Sequence, residues 1–256
     1  MIRGAFPLFR IAGIQVYLHF AWFIIAVLEF SQFARRYHSP IWGALEYLAL
    51  FAIVLVHEFG HALACRQTGG KADKIMLWPL GGAAFVSPPP RPGAYLWSIA
   101  AGPLVNVVLF PVFTGAIMVA GATHLKLNNP DAYRFIVALW GINTGLLVFN
   151  ILPIYPLDGG QIVRGLLWIW LGRVRSLQIA SVLGFVGSIA LGVLAYYLRS
   201  VWIGVIALFI FGQAQLGWRQ SQRLSLETEA APPGTSGATS NESPTSPPSA
   251  ETRGGR

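Results

Sequence analysis

Apolar residues run along this chain in long blocks, and the polar residues between them fall at the block ends. One block extends from about Ile41 to Arg66, with no charged residue between Tyr47 and Val56. At 1.5 Å per residue, about 20 residues of helix cross a hydrocarbon core about 30 Å thick, so this length predicts a membrane-crossing helix. Similar blocks cover about Tyr95 to Val119, Phe135 to Leu152, Leu177 to Leu198 and Val201 to Leu216. Near the start, Ile14, Val16 and Leu18 alternate with Gln15, Tyr17 and His19, which fits either a short strand or the entry to a first span ending near Leu28. The pattern predicts an all-α polytopic membrane protein with about six transmembrane helices.

The interval Gln67 to Gly93 breaks this pattern. Its short apolar runs, Ile75 to Trp78 and Ala83 to Val86, are bounded by Gly and Pro, which predicts strands or a re-entrant segment after the second helix, with a plain connecting loop as the alternative. From about Ser221 the composition turns to Ser, Thr, Pro, Gly and Glu. Residues 1–220 are therefore expected to form one membrane domain and 221–256 a cytoplasmic tail, disordered from Ala230 onward.

Composition agrees: 54% of the 256 residues are hydrophobic and 11% are charged, where a soluble domain carries about 25% charged residues. The net charge of +8 does not signal a nucleic-acid partner, because Arg and Lys sit at the ends of apolar runs and do not form a basic face. Six spans with both termini on one side put eleven basic residues on that side before the tail. Only five (Arg35, Arg36, Lys126, Arg134 and Arg199) fall opposite. By the positive-inside rule both termini are expected in the cytoplasm, in a multi-pass protein of the cell membrane. The single cysteine, Cys65, excludes an internal disulfide and a Cys-rich metal site. Met1 to Arg10 lacks the long apolar core of a cleavable leader.

Three ionisable groups interrupt the second span. His57, Glu58 and His61 form a His-Glu-x-x-His pentad, and residues four apart on a helix lie about 40° from each other, so both imidazoles share a face. Ionisable groups at membrane depth are costly and default to a functional reading. Two histidines so placed suit zinc, which binds His nitrogen at about 2.0–2.1 Å and in catalytic sites takes three protein ligands and a water. Glu58 stands where it can accept a proton from that water. The third ligand must come from elsewhere. In Asn150-Ile151-Leu152-Pro153-Ile154-Tyr155-Pro156-Leu157-Asp158-Gly159-Gly160-Gln161, the two prolines stop the fourth span while apolar residues continue. Irregular backbone at membrane depth must be buried in protein or line a watery cavity. Asp158 is the candidate ligand there; the competing account makes Asp158 and Gln161 a helix capping box.

With His57-Glu58-Phe59-Gly60-His61 on one span, and Asn150-x-x-Pro153 leading to Leu157-Asp158-Gly159 on another, the chain resembles the site-2 protease family of intramembrane zinc metalloproteases. Pro79-Leu80-Gly81-Gly82 and Ala101-Gly102-Pro103-x-x-Asn106 are weaker matches, and the resemblance covers about residues 10 to 165. It implies a three-helix catalytic core, one zinc per chain held by His57, His61 and Asp158, and Glu58 as general base and then proton donor. It also implies a membrane-spanning protein substrate, with Asn150 near the scissile backbone and Asn106 in the same surroundings. Gly81 and Gly82 are expected to offer a strand edge to the unwound substrate. Two other classes remain: a transporter or metal permease, and a catalytically silent relative that binds membrane clients. The last two spans lack an acid or histidine and are expected to be scaffold.

Overall fold

The computed structural model describes residues 4–23, 36–78 and 81–230. The element order is β1 (Ala5–Ile11), β2 (Ile14–His19), α1 (Pro40–Gln67), β3 (Lys71–Trp78), β4 (Gly81–Ser87), α2 (Pro92–Ala122), a short α3 (Leu125–Asn128), α4 (Pro130–Ile151), α5 (Asp158–Tyr197) and α6 (Val201–Ala230). Among the described residues five helices are long and apolar enough to cross a membrane: α1, α2, α4, α5 and α6. The alternation at Ile14 to His19 resolves as the strand β2, and the rest of the expected first span falls mostly outside the described residues. The tail beyond 230 also lies outside them; α6 itself continues past the composition change at Ser221.

Proline starts three of the long helices, Pro40 in α1, Pro92 in α2 and Pro130 in α4, where its missing N–H would have no helical partner anyway. The end of α1 is a Schellman turn. Gly69 holds φ +84°, its N–H reaches the Arg66 carbonyl at 3.0 Å, and the Gly70 N–H reaches the Cys65 carbonyl at 3.0 Å. That turn sends the chain straight into β3.

The sheet has order β1-β2-β3-β4, with β2 and β3 parallel and both outer pairs antiparallel. Parallel neighbours need a crossover, and α1 lies in the one between β2 and β3. The register shift between Ala72 and Lys74 in β3 lets Ala72 and Ile75, three apart, face the same way. With Ile14, Val16 and Leu77 they pack on Val54, Ala62 and Cys65 of α1, forming the core of the sheet layer. The sheet is thus fixed against the helix that carries the His-Glu-x-x-His pentad.

The bundle is built the other way round from a water-soluble one. The buried residues of α2 are Ser98, Ile99, Ala101, Gly102, Pro103, Asn106 and Ala120, while Val108, Val112 and Met118 are exposed. Small and polar residues inside with large apolar ones outside is the distribution that lipid selects. Helix α2 packs against α1, α4 and α5, and α5 pairs with α6. Where α1 and α2 cross, a side chain at Gly60 would meet the Ala101 carbonyl oxygen at 2.7 Å, so the two backbones are nearly in contact. Opposite the sheet, the Asp131 carboxylate accepts from the backbone N–H groups of His38 and Ser39 at 3.0 and 3.2 Å, tying the start of α1 to α4. Inside α5, Gly172 adopts φ +77° and ψ 173°, a break that separates a first segment from the long one that follows.

Candidate metal centre

His57, Glu58 and His61 lie on the buried face of α1 at 2%, 5% and 6% exposure, as the four-residue spacing requires. Asp158 reaches them from 101 residues away in sequence. Helix α4 ends at Ile151, an irregular turn spans Leu152 to Leu157, and Asp158 is the first residue of α5. Its side chain makes no capping bond to that helix; Gln161 instead accepts from the Tyr95 hydroxyl at 3.1 Å and donates to the Pro156 carbonyl at 2.9 Å. The carboxylate is therefore free to turn towards α1. Its two oxygens lie 3.1 Å from His57 Nε2 and 3.5 Å from His61 Nε2, and the two Nε2 atoms are 3.2 Å apart.

The chemistry of this donor set tests whether zinc fits. His61 Nδ1 is 2.9 Å from the Ser98 carbonyl, and His57 Nδ1 is 2.5 Å from Asn106 Oδ1. Each oxygen can only accept, so each Nδ1 carries a proton, and in the neutral ring that leaves a lone pair at Nε2. Two such nitrogens and a carboxylate converge on one point with low exposure to solvent, an arrangement that repels itself unless a cation lies between. Ligands bonded tetrahedrally at about 2.0–2.1 Å are about 3.3 Å apart, close to the three separations observed. The donor set fits zinc. Glu58 adds a carboxylate oxygen within 4.8 Å of the histidine nitrogens. Its Oε2 accepts the Ala84 N–H of β4 at 2.8 Å, which holds it beside the cluster and leaves its other oxygen available.

A cavity of about 460 Å³ opens over these groups. Val54, His57, Glu58 and His61 of α1, Met76, Trp78, Ala84 and Val86 of the sheet, and Asn150 at the end of α4 line it. Phe209 and Gln213 of α6 line it too, so the last span, expected to be scaffold, contributes to the cavity wall. A neutral amide was the only sequence signal of this. Gly81 and Gly82 pair with Trp78 and Leu77 in the β4 ladder, beside that wall. Asn106, expected near a substrate backbone, is fully buried behind His57, with its side-chain amide spanning His57 and Asn143. Ser98, Ala84 and Asn143, which touch the four central side chains directly or through Asn106, escaped the sequence reading. Of these only Asn143, a polar residue inside an apolar span, left a trace there.

Comparison with known proteins places these residues in context. The model of peptidase family M50 matches residues 45–126 and 113–194, which include both the pentad and Asp158. A zinc metalloprotease of Methanocaldococcus jannaschii is 32% identical over 223 residues, covering 86% of this chain and 62% of that protein. Stage IV sporulation protein FB of Bacillus subtilis is 32% identical over 118 residues, 45% of this chain and 38% of that one. The chain thus spans about three-fifths or less of the length of these curated relatives. The solved site-2 protease from Methanocaldococcus jannaschii superposes with a TM-score of 0.61 at 26% identity, covering 84% of this chain and 95% of that one.

Proposed function

Since this chain belongs to peptidase family M50 and is a multi-pass membrane protein, we propose that it is a zinc endopeptidase cutting peptide bonds within or next to the spans of other membrane proteins. The observation that carries this reading is the convergence of His57, His61 and Asp158 within 3.1–3.5 Å, with Glu58 beside them under a cavity bounded by a sheet.

His57, His61 and Asp158 would hold the zinc. When bound, it supplies a Lewis acid that polarises a peptide carbonyl and eases the ionisation of water near neutral pH. The rest falls to the chain. Glu58 takes the proton from the attacking water on the oxygen not engaged by Ala84 and returns it to the leaving amine. A substrate helix must unwind first, because its peptide groups are already hydrogen-bonded to one another. The outer edge of β4 at Gly81 and Gly82 offers the unwound segment a strand to pair with, while the Ala84 N–H is taken by Glu58. Asn150, on the cavity wall, presents an amide to the scissile region. The basic-residue asymmetry supports insertion in the cell membrane with both described helix ends α1-C and α6-C on the cytoplasmic side, so that the products include a cytoplasmic fragment.

The test is to incubate the purified wild type and Glu58→Gln with a panel of single-span substrates, and to measure zinc in both. Both are expected to carry one zinc per chain, while cleavage falls about 10²- to 10⁴-fold in the variant, the range of general acid–base catalysis. Ion flux without a cut product would instead identify a transporter and defeat the reading.

A further inference from the structure

We propose that Asn143, acting through Asn106, sets which nitrogen of His57 carries the proton and so keeps Nε2 open to the metal. The inference rests on reading His57 as a ligand and deepens it. His57, Asn106 and Asn143 come from α1, α2 and α4, at 2%, 0% and 0% exposure, so they can satisfy one another only in particular pairings.

An amide side chain looks almost the same with its oxygen and nitrogen exchanged, so Asn106 alone cannot dictate the ring's polarity. The chain of contacts removes that freedom because it ends on a group that cannot be exchanged. Asn143 Nδ2 donates to the backbone carbonyl of Asn106 at 3.0 Å, and a carbonyl only accepts. Asn143 must therefore turn its Oδ1 to the side chain of Asn106, which donates Nδ2 to it at 2.8 Å. That leaves Asn106 Oδ1 facing His57 Nδ1 at 2.5 Å. An oxygen there forces the proton onto Nδ1. His61 reaches the same state in one step, its Nδ1 bonding the Ser98 carbonyl directly. In both rings the polarity is anchored to the backbone of α2.

Without Asn143, Asn106 is free to turn its NH₂ group towards His57 and favour the opposite tautomer. Outer partners that orient a ligating histidine contribute about 10- to 100-fold to metal affinity. Full-length wild type, Asn143→Leu and Thr144→Val are to be compared by competition for zinc against a chromogenic chelator. The neighbour Thr144 has a buried hydroxyl with no hydrogen-bond partner among the described residues, so its valine variant controls for replacing a buried polar side chain of α4 that takes no part in the relay. Zinc affinity is expected to fall about 10- to 100-fold in Asn143→Leu and to stay at the wild-type value in Thr144→Val. Wild-type affinity in Asn143→Leu, or an equal loss in both variants, overturns the proposal.

Nitrogen NMR of labelled histidines in the zinc-loaded wild type gives a second readout that depends on no variant. The relay predicts a proton on His57 Nδ1 and metal on Nε2; the reverse overturns it even if the leucine variant does not accumulate. A wild-type chain that takes up no zinc defeats the functional reading itself. One that binds zinc equally well with or without Asn143 defeats the relay alone.

Discussion

Gly102 shows how little room the site leaves at single residues. A methyl group built on it would overlap the imidazole of His61, closer than any ordinary van der Waals contact. The ring must move if a side chain appears there, because the neighbouring atoms of α2 are helix backbone. Gly102→Ala is therefore expected to weaken zinc binding by about 10-fold or more, comparable to losing a histidine's outer partner, while the fold persists; chelator competition with circular dichroism as a control checks both. Unchanged affinity would mean that His61 does not sit against α2 when metal is bound. At Glu58 the constraint is an attachment. The Ala84 N–H bonds its carboxylate, not a partner in β3, so a proline at 84 removes that donor without removing a rung of the β3–β4 ladder. Ala84→Pro is expected to lower kcat about 10-fold or more with zinc content unchanged.

Among the elements, β4 and the α1–α2 crossing carry separable jobs. Strand β4 lies at one edge of the sheet, and an edge strand keeps unpaired peptide groups available to another chain. Deleting Gly81 and Gly82 is expected to abolish cleavage of membrane-span substrates and leave zinc content intact; cutting at the wild-type rate would rule out the strand-edge role. At the α1–α2 crossing, Gly60 meets Ala101 so closely that any side chain must push the helices apart. Since α1 carries His57 and His61 while α2 carries their outer partners Ser98 and Asn106, Gly60→Val is expected to lower both thermal stability and zinc affinity. A thermal shift assay and chelator competition on the same sample read the two together.

For the molecule as a whole, the question is which way the cavity opens. By the positive-inside rule, the excess of Arg and Lys on one side of the spans predicts that the C-terminal ends of α1 and α6 face the cytoplasm. Cys65 is fully buried, so a single added cysteine can report its own exposure. In intact cells a membrane-impermeant maleimide is expected to label Lys126→Cys at once and Arg223→Cys only after permeabilisation; the opposite order would reverse the topology. Much of this architecture was legible along the chain, because both signals behind it are local. Apolar block length specifies a span, and a four-residue spacing puts His57 and His61 on one face whatever surrounds them. The prolines after Asn150 announced a broken helix, and the family resemblance paired Asp158 with the pentad. What the chain alone left open was every relation made by packing: the turn of the Asp158 carboxylate towards His57 and His61 instead of a helix cap, the backing of His57 by Asn143, the Ala84 bond to Glu58, and the α6 wall with Gln213. Those depend on small residues, Gly60 letting two backbones meet and Gly102 making room for the His61 ring, and on which polar atoms are then left without water. Such a partner is chosen by proximity in space, and periodicity along a sequence holds no record of it.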